Sequence, residues 1–203
     1  MDNNQLKKHI AETGYNVGYT AKLHFASFEM IEKIPGIISF ISMAFGVYTL
    51  AFSELSTKFM SSTLLVLGLT GIYISMKNGD KNSYEVKGRI LTGLFNELKH
   101  LMTDAKTHPE ETESISAQLK DIENKYNENC ASNHIMFASW LGHYKFFWEQ
   151  QIEWIAEYRP FGFWRDKVPL TLWVTVFTLL IIILVNSPVL TRPICNLVNL
   201  IIN

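Results

Sequence analysis

Three long runs of this chain carry no charged side chain, and they limit its fold more than any other feature. Ile34 to Ser53, Phe59 to Met76 and Val168 to Thr191 contain no Asp, Glu, Lys or Arg. As α-helices rising 1.5 Å per residue, each can cross a hydrocarbon core of roughly 30 Å. The competing reading of one such run is a buried core helix. Three together, in a chain of 203 residues with 48% hydrophobic side chains, point instead to an all-α membrane protein. The residues before the first run, Met1 to Lys33, form a long polar and amphipathic stretch rather than a short basic cap. No cleavable signal peptide is expected, and the first span serves as the insertion signal.

Basic residues near the span ends set an orientation. Lys22, Lys33, Lys77, Lys81, Lys87, Arg89, Arg159, Arg165 and Lys167 fall on one side, against Lys58 and Arg192 on the other. Positive charge stays cytoplasmic as a rule. The expected organisation is a cytoplasmic amphipathic arm (1–33), a transmembrane hairpin (34–76), a cytoplasmic helical bundle (77–167), a third C-terminal transmembrane helix (168–191) and an extracytoplasmic tail (192–203). Tyr158, Phe161, Phe163 and Trp164 read as an aromatic belt before the third span, where Pro160 and Gly162 break the preceding helix. Cys130 and Cys195 fall on opposite sides of the membrane in this layout, so both are expected as free thiols.

Helical periodicity fills in the polar regions. The arm carries Leu6, Ile10, Val17, Ala21, Phe25, Phe28 and Ile31 on one face and is expected to enter the membrane near Pro35. Between the hairpin and the third span, Tyr84 to Lys106 aligns Leu91, Leu94, Leu98, Leu101 and Ala105. Glu110 to Asn127 aligns Ile115, Leu119, Ile122 and Tyr126, and Asn133 to Tyr158 aligns Phe137, Leu141, Tyr144, Trp148, Ile152 and Ile155. These stripes are expected to form the core of the bundle.

The spans contain no ionisable group, which argues against a proton relay, an ion-coupled carrier or a voltage sensor. They carry small residues in register instead. Ser39, Ser42, Gly46, Thr49 and Ser53 share a face of the first span, and Ser61, Gly68, Gly71 and Ser75 a face of the second. Such faces let helices approach closely, within one hairpin or between subunits, and hydroxyls and glycines also tolerate water in a narrow pore. Thr171, Thr175 and Thr178 make a shorter stripe in the third span, with bonding to their own helix as the alternative.

Catalytic and cofactor signatures are not found. His100, Asp104 and His108 lie four apart and His134 and His143 flank an aromatic run, but no His and carboxylate set matches a zinc or nucleophile pattern. These histidines are expected at the surface, no metal or cofactor is implied, and a near-neutral net charge of −1 gives no reason to expect nucleic acid. Membrane lipid is the expected contact, together with further copies of the chain.

With its arm IAETGYNVGYTAKLHFASFEMIEKIPG at Ile10 to Gly36 and the two close-spaced spans after it, Ile10 through Met76 resembles the SLATT family of small bacterial membrane effectors. The resemblance rests on the arm's run of Thr13, Gly14, Tyr15, Asn16, Lys22 and His24. The spans follow the arm at once, then a long helix from near Tyr84. Val17 to Ala21 lacks the basic residue common in family arms, and a third span adds to a two-span plan. The resemblance implies a multi-pass inner-membrane protein of an antiviral conflict system. It would act beside a nucleotide-signal synthase or a reverse transcriptase and arrest the infected cell by opening its membrane as an oligomeric, gated pore. A non-conducting scaffold or regulator that tethers a defence partner, such as a CRISPR accessory, is the second expectation; an enzyme is the weakest.

Overall fold

A computed structural model describes residues 2–52, 57–130 and 133–186 of the chain. Every regular element among them is helical. They are α1 (Asn3–Ala51), α2 (Lys58–Ser75), α3 (Lys81–Thr107), α4 (Thr112–Asn129), α5 (Ala138–Tyr144), α6 (Glu153–Ala156), α7 (Phe163–Asp166) and α8 (Leu170–Asn186). The described residues up to Pro160 form one compact unit and those from Phe161 to Asn186 belong to another.

The arm and the first uncharged run are a single helix of 49 residues, with Pro35 inside it. The Gln5 side chain accepts from the Asp2 backbone N–H at 3.3 Å, occupying one donor that a helix start leaves unpaired. The first half of α1 is the centre of the unit. Leu6, Ile10, Val17, Ala21 and Ile31 are buried, as the periodicity required, while Phe25 and Phe28 are half-buried at its edge. Leu91, Leu94, Leu98, Leu101 and Ala105 of α3 and Ile115, Leu119 and Ile122 of α4 are buried as well. Each fully buried Leu, Ile or Val among them contributes about 1.5–3 kcal/mol.

Close approach to α1 depends on glycines. A Cβ on Gly18 would lie 2.6 Å from the Phe95 ring and 2.9 Å from that of Phe146, and one on Gly14 would strike Trp154. On the other side of the contact, a Cβ on Gly142 would sit 3.0 Å from the Leu23 Cα, backbone that has no rotamer to change.

The stretch from Asn133 to Tyr158 is not one helix, contrary to expectation. It begins at Ala138 after Phe137, passes through a π-helical turn at Lys145–Glu149, and is broken before α6. The wider turn lets two consecutive residues, Phe146 and Phe147, both point inward. Their rings lie 5.4 and 6.4 Å from that of Tyr15. The buried line is Ile135, Ala138, Gly142 and Phe146, so Phe137, Tyr144 and Trp148 of the expected seam stand exposed. Leu141 is half-buried, and Ile152 and Ile155 are buried as expected.

In the second unit, the Asp166 carboxylate accepts from the Gly162 N–H at 2.9 Å, closing the short α7 turn. The uncharged α8 follows; residues 187–191 of the expected third span, and Cys195, lie outside the described residues.

These contacts set opposite outcomes for two glycine substitutions. Gly18→Val is expected to destabilise the protein by about 1–3 kcal/mol through overpacking. Gly93→Ala, at a site in α3 with open space around the missing Cβ, is expected to stabilise it by about 0.5–1 kcal/mol. Thermal unfolding in detergent micelles reads both, and a Gly18→Val chain as stable as the parent would contradict the packing described.

Candidate functional site

The small faces of the two apolar helices meet only in part. Where α1 and α2 pack together, Ser39 and Ser42 face Gly68, Gly71 and Ser75 across an open groove of about 530 Å³, with Pro35, Ile38, Ile72 and Met76 completing it. Gly71 is the point of contact. It is buried, and a Cβ there would lie 3.5 Å from Ile38 Cδ1. Gly46, Thr49 and Ser61 lie outside the groove, and a Cβ on Gly46 or Gly68 would meet nothing within 4 Å. Ser53 lies outside the described residues.

Most span hydroxyls are occupied by their own helices. Ser39 Oγ donates to the Pro35 carbonyl at 2.9 Å, Thr49 Oγ1 to Gly46 at 2.9 Å, Ser61 Oγ to Thr57 at 3.2 Å and Thr70 Oγ1 to Val66 at 2.9 Å. In α8, Thr175 Oγ1 donates to Thr171 and Thr178 Oγ1 to Val174, at 2.9 and 2.8 Å. Thr171 and Thr178 thus sit on a helix whose hydroxyls turn back on the preceding turn.

The outer surface of both helices is apolar and uncovered. In the most apolar 18-residue window of α1 nothing is buried, and in that of α2 11% is. Both helices are long and apolar enough to cross a membrane by length and composition.

Beneath this hairpin, at the near end of the packed core, sits a cluster that the sequence reading missed. His24 is fully buried on α1, and neither ring nitrogen has a hydrogen-bond partner. Its ring lies 4.9 Å from that of His134 and 5.8 Å from that of Tyr84. Tyr84 Oη donates to the Asn133 carbonyl at 2.7 Å, and Ser27 Oγ lies 3.5 Å from His134 Nδ1. His134 and His143 are half-buried rather than surface residues, because the 133–143 segment lies flat on α1. His100 and His108 are exposed as expected, His100 and Asp104 lining an open groove between α3 and α4. Among the described residues no three His, Cys, Asp or Glu side chains converge as metal ligands would.

Burial, and then the charges of His134 and Lys87, push the His24 ring from 6.5 down to about 4. Nearby, burial raises the Glu29 carboxyl, but the Lys145 ammonium at 2.7 Å, with Lys33 behind it, outweighs this and holds it below its ordinary value. Polar side chains also tie α1 to α4. Thr13 Oγ1 donates to Glu123 Oε1 at 3.0 Å, and His9 Nε2 lies 2.8 Å from the same oxygen.

The described residues up to Pro160 thus form an all-helical core that carries two apolar helices long enough to cross a membrane. The SMODS and SLOG-associating 2TM effector domain 6 family matches residues 1–176, and the chain belongs to it. The match takes in the arm, the hairpin, the helical core and the first part of α8, so the family layout extends well past the Ile10–Met76 segment that carried the resemblance. No curated protein and no solved structure matches the chain.

The His24 cluster gives stability a pH dependence of known sign. The unfolded ring takes up a proton at 6.5, whereas the folded one resists it until about 4. The unfolded state therefore binds more protons in that window, and stability falls as pH drops from 6.5 to 4, by up to about 3 kcal/mol. Melting curves from pH 7 to 4 are expected to show this loss and His24→Gln to flatten it; an unchanged slope in the variant would remove His24 as the source.

Proposed function

We propose that the chain is an oligomeric inner-membrane effector of a bacterial antiviral system that opens the membrane when a partner, or its signal, acts on the helical core. The observation that supports this most is the bare apolar surface of α1 and α2. Phe40, Met43, Val47 and Leu50 on α1 and Phe59, Leu65, Val66 and Leu69 on α2 are all exposed. Each would forfeit about 1.5–3 kcal/mol in water, and together this is as large as the roughly 5–15 kcal/mol by which a typical domain is stable. Lipid removes that cost. In this reading the arm and the 77–167 region are cytoplasmic and α8 is a third crossing, which the excess of Lys and Arg on that side supports.

Assembly follows from what the single chain leaves open. The hairpin is held at Gly71 against Ile38, while the Gly46 surface of α1 has no neighbour. A second copy can approach there as closely as α2 does at Gly71. Gating requires a partner or signal that binds the open assembly better than the closed one; a nucleotide-signal synthase or a reverse transcriptase is the partner class we propose.

One observation favours the second reading, a non-conducting scaffold that tethers a defence partner. The hydroxyls of Ser39, Thr49, Ser61 and Thr70 already donate to carbonyls of their own helices, which leaves fewer donors for water or ions in a pore.

Dye release from vesicles carrying the purified chain separates the two. Triggered leak is expected, and Gly46→Leu is expected to change it about tenfold or more by disturbing close approach between copies, with the melting curve unaltered because the site is open. Gly71→Leu should alter both leak and stability. No leak under any trigger, or leak indifferent to both substitutions, would exclude the pore.

A further inference from the structure

From Cys130 to Tyr144 the sequence contains no Asp, Glu, Lys or Arg, an uncharged stretch in a region otherwise dense in charge. Ile135 and Ala138 join Met30, Ile31 and Ile74 in one buried cluster, which pins residues 133–138 against the junction of α1 and α2. Met136 and Phe137 do not enter that cluster. They are 60% and 51% exposed, and they close an apolar hollow of about 260 Å³ with Leu69, Thr70 and Tyr73 of α2.

Depth along α2 gives this arrangement its meaning. The uncharged run ends at Met76, so Tyr73 and Thr70 lie about 5 and 9 Å inside that end. Met136 and Phe137, beside them, lie at the same level. Lys77 and Lys81 follow just beyond the end of the run, where anionic headgroups would be. Phe137 is also the one non-glycine residue with positive φ, 68°, among the described residues. An aromatic residue seldom holds that backbone, and here it turns the ring outward rather than into the core. The Trp140 ring packs edge-on against it at 5.5 Å, and tryptophan is the side chain best suited to a boundary that is apolar on one side and wet on the other.

We propose that residues 133–140 form a lipid-facing wedge: Met136 and Phe137 enter the acyl boundary of the cytoplasmic leaflet beside α2, with Trp140 at headgroup level. The wedge rests on the reading of α2 as a bilayer span. Its occupant is phospholipid, because the apolar surface it extends is continuous with the uncovered outer face of α2. The helical core is then seated on the bilayer at two places, the hairpin and the wedge, so that a shift of α5 along α1 must also move side chains within the leaflet.

Spin-label accessibility tests this on the full chain. In a Cys130→Ser, Cys195→Ser background, labels at Met136→Cys, at Leu69→Cys on α2 and at Glu97→Cys on exposed α3 surface are compared in phosphatidylcholine and phosphatidylglycerol vesicles. Power saturation is read with oxygen, which concentrates in acyl chains, and with a water-soluble nickel chelate. The wedge requires the oxygen-to-nickel ratio at 136 to match that at 69 and to exceed that at 97 severalfold. Oxygen contact at 69 with nickel contact at 136 overturns the wedge while α2 remains a span. A label at 136 shielded from both reagents means that protein, a second copy or a partner, covers the loop, and also overturns it. Nickel contact at 69 removes the span and the wedge together.

Discussion

The rest of the structure depends on α1 running unbroken through Pro35. A proline inside a helix removes one backbone donor and ordinarily costs about 3 kcal/mol, yet the helix continues for 49 residues, about 74 Å. It is held on both sides. Before the proline, α3, α4 and α5 enclose the helix, and Lys81 of α3 reaches Glu32 at 3.2 Å. After it, the Ser39 hydroxyl donates to the Pro35 carbonyl and Ile38 packs on Gly71. One helix thus runs from the centre of the packed core into the first apolar run.

Two kinds of surface result. Around the first half of α1 the packing is tight enough that glycines at 14, 18 and 142 are sterically required, and even a histidine at 24 is enclosed without a hydrogen-bond partner. Around the second half almost nothing is enclosed. This contrast between a packed core and bare apolar helices agrees with membership of the 2TM effector domain family.

Much of this was legible in the chain itself, for reasons that particular residues make plain. Uncharged runs give the apolar helices directly, and well-spaced leucines in α3 and isoleucines in α4 leave only one face that can be buried. Between Asn133 and Tyr158 the aromatics satisfy more than one helical phase. Counting large side chains favoured Phe137, Tyr144 and Trp148, whereas the fold buries Ala138 and Gly142 because their small size lets α5 lie on the Leu23 backbone. The π turn that turns Phe146 and Phe147 inward together has no periodic signature. The small-residue stripes were visible, but periodicity says nothing about how far two helices stay in contact, so Ser39, Ser42, Gly68, Gly71 and Ser75 share a groove while Gly46, Thr49 and Ser61 do not. His24 could be read only as part of the arm; its enclosure depends on His134 and Tyr84 arriving from distant segments.

In the proposed membrane arrangement α1 leaves water near Ile34 and remains in the bilayer to the end of the helix. Single cysteines at Glu32, Phe40, Val47 and Leu50, in a chain whose native cysteines are serine, can be treated in vesicles with a membrane-impermeant maleimide, which reacts only with a hydrated thiolate. Phe40, Val47 and Leu50 are 68%, 63% and 90% exposed in the isolated chain, so a water-soluble α1 would label at all four positions. Labelling is expected at 32 and protection at 40 and 47, with 50 slower than 32 near the far interface. Equal labelling along the whole helix would contradict that arrangement.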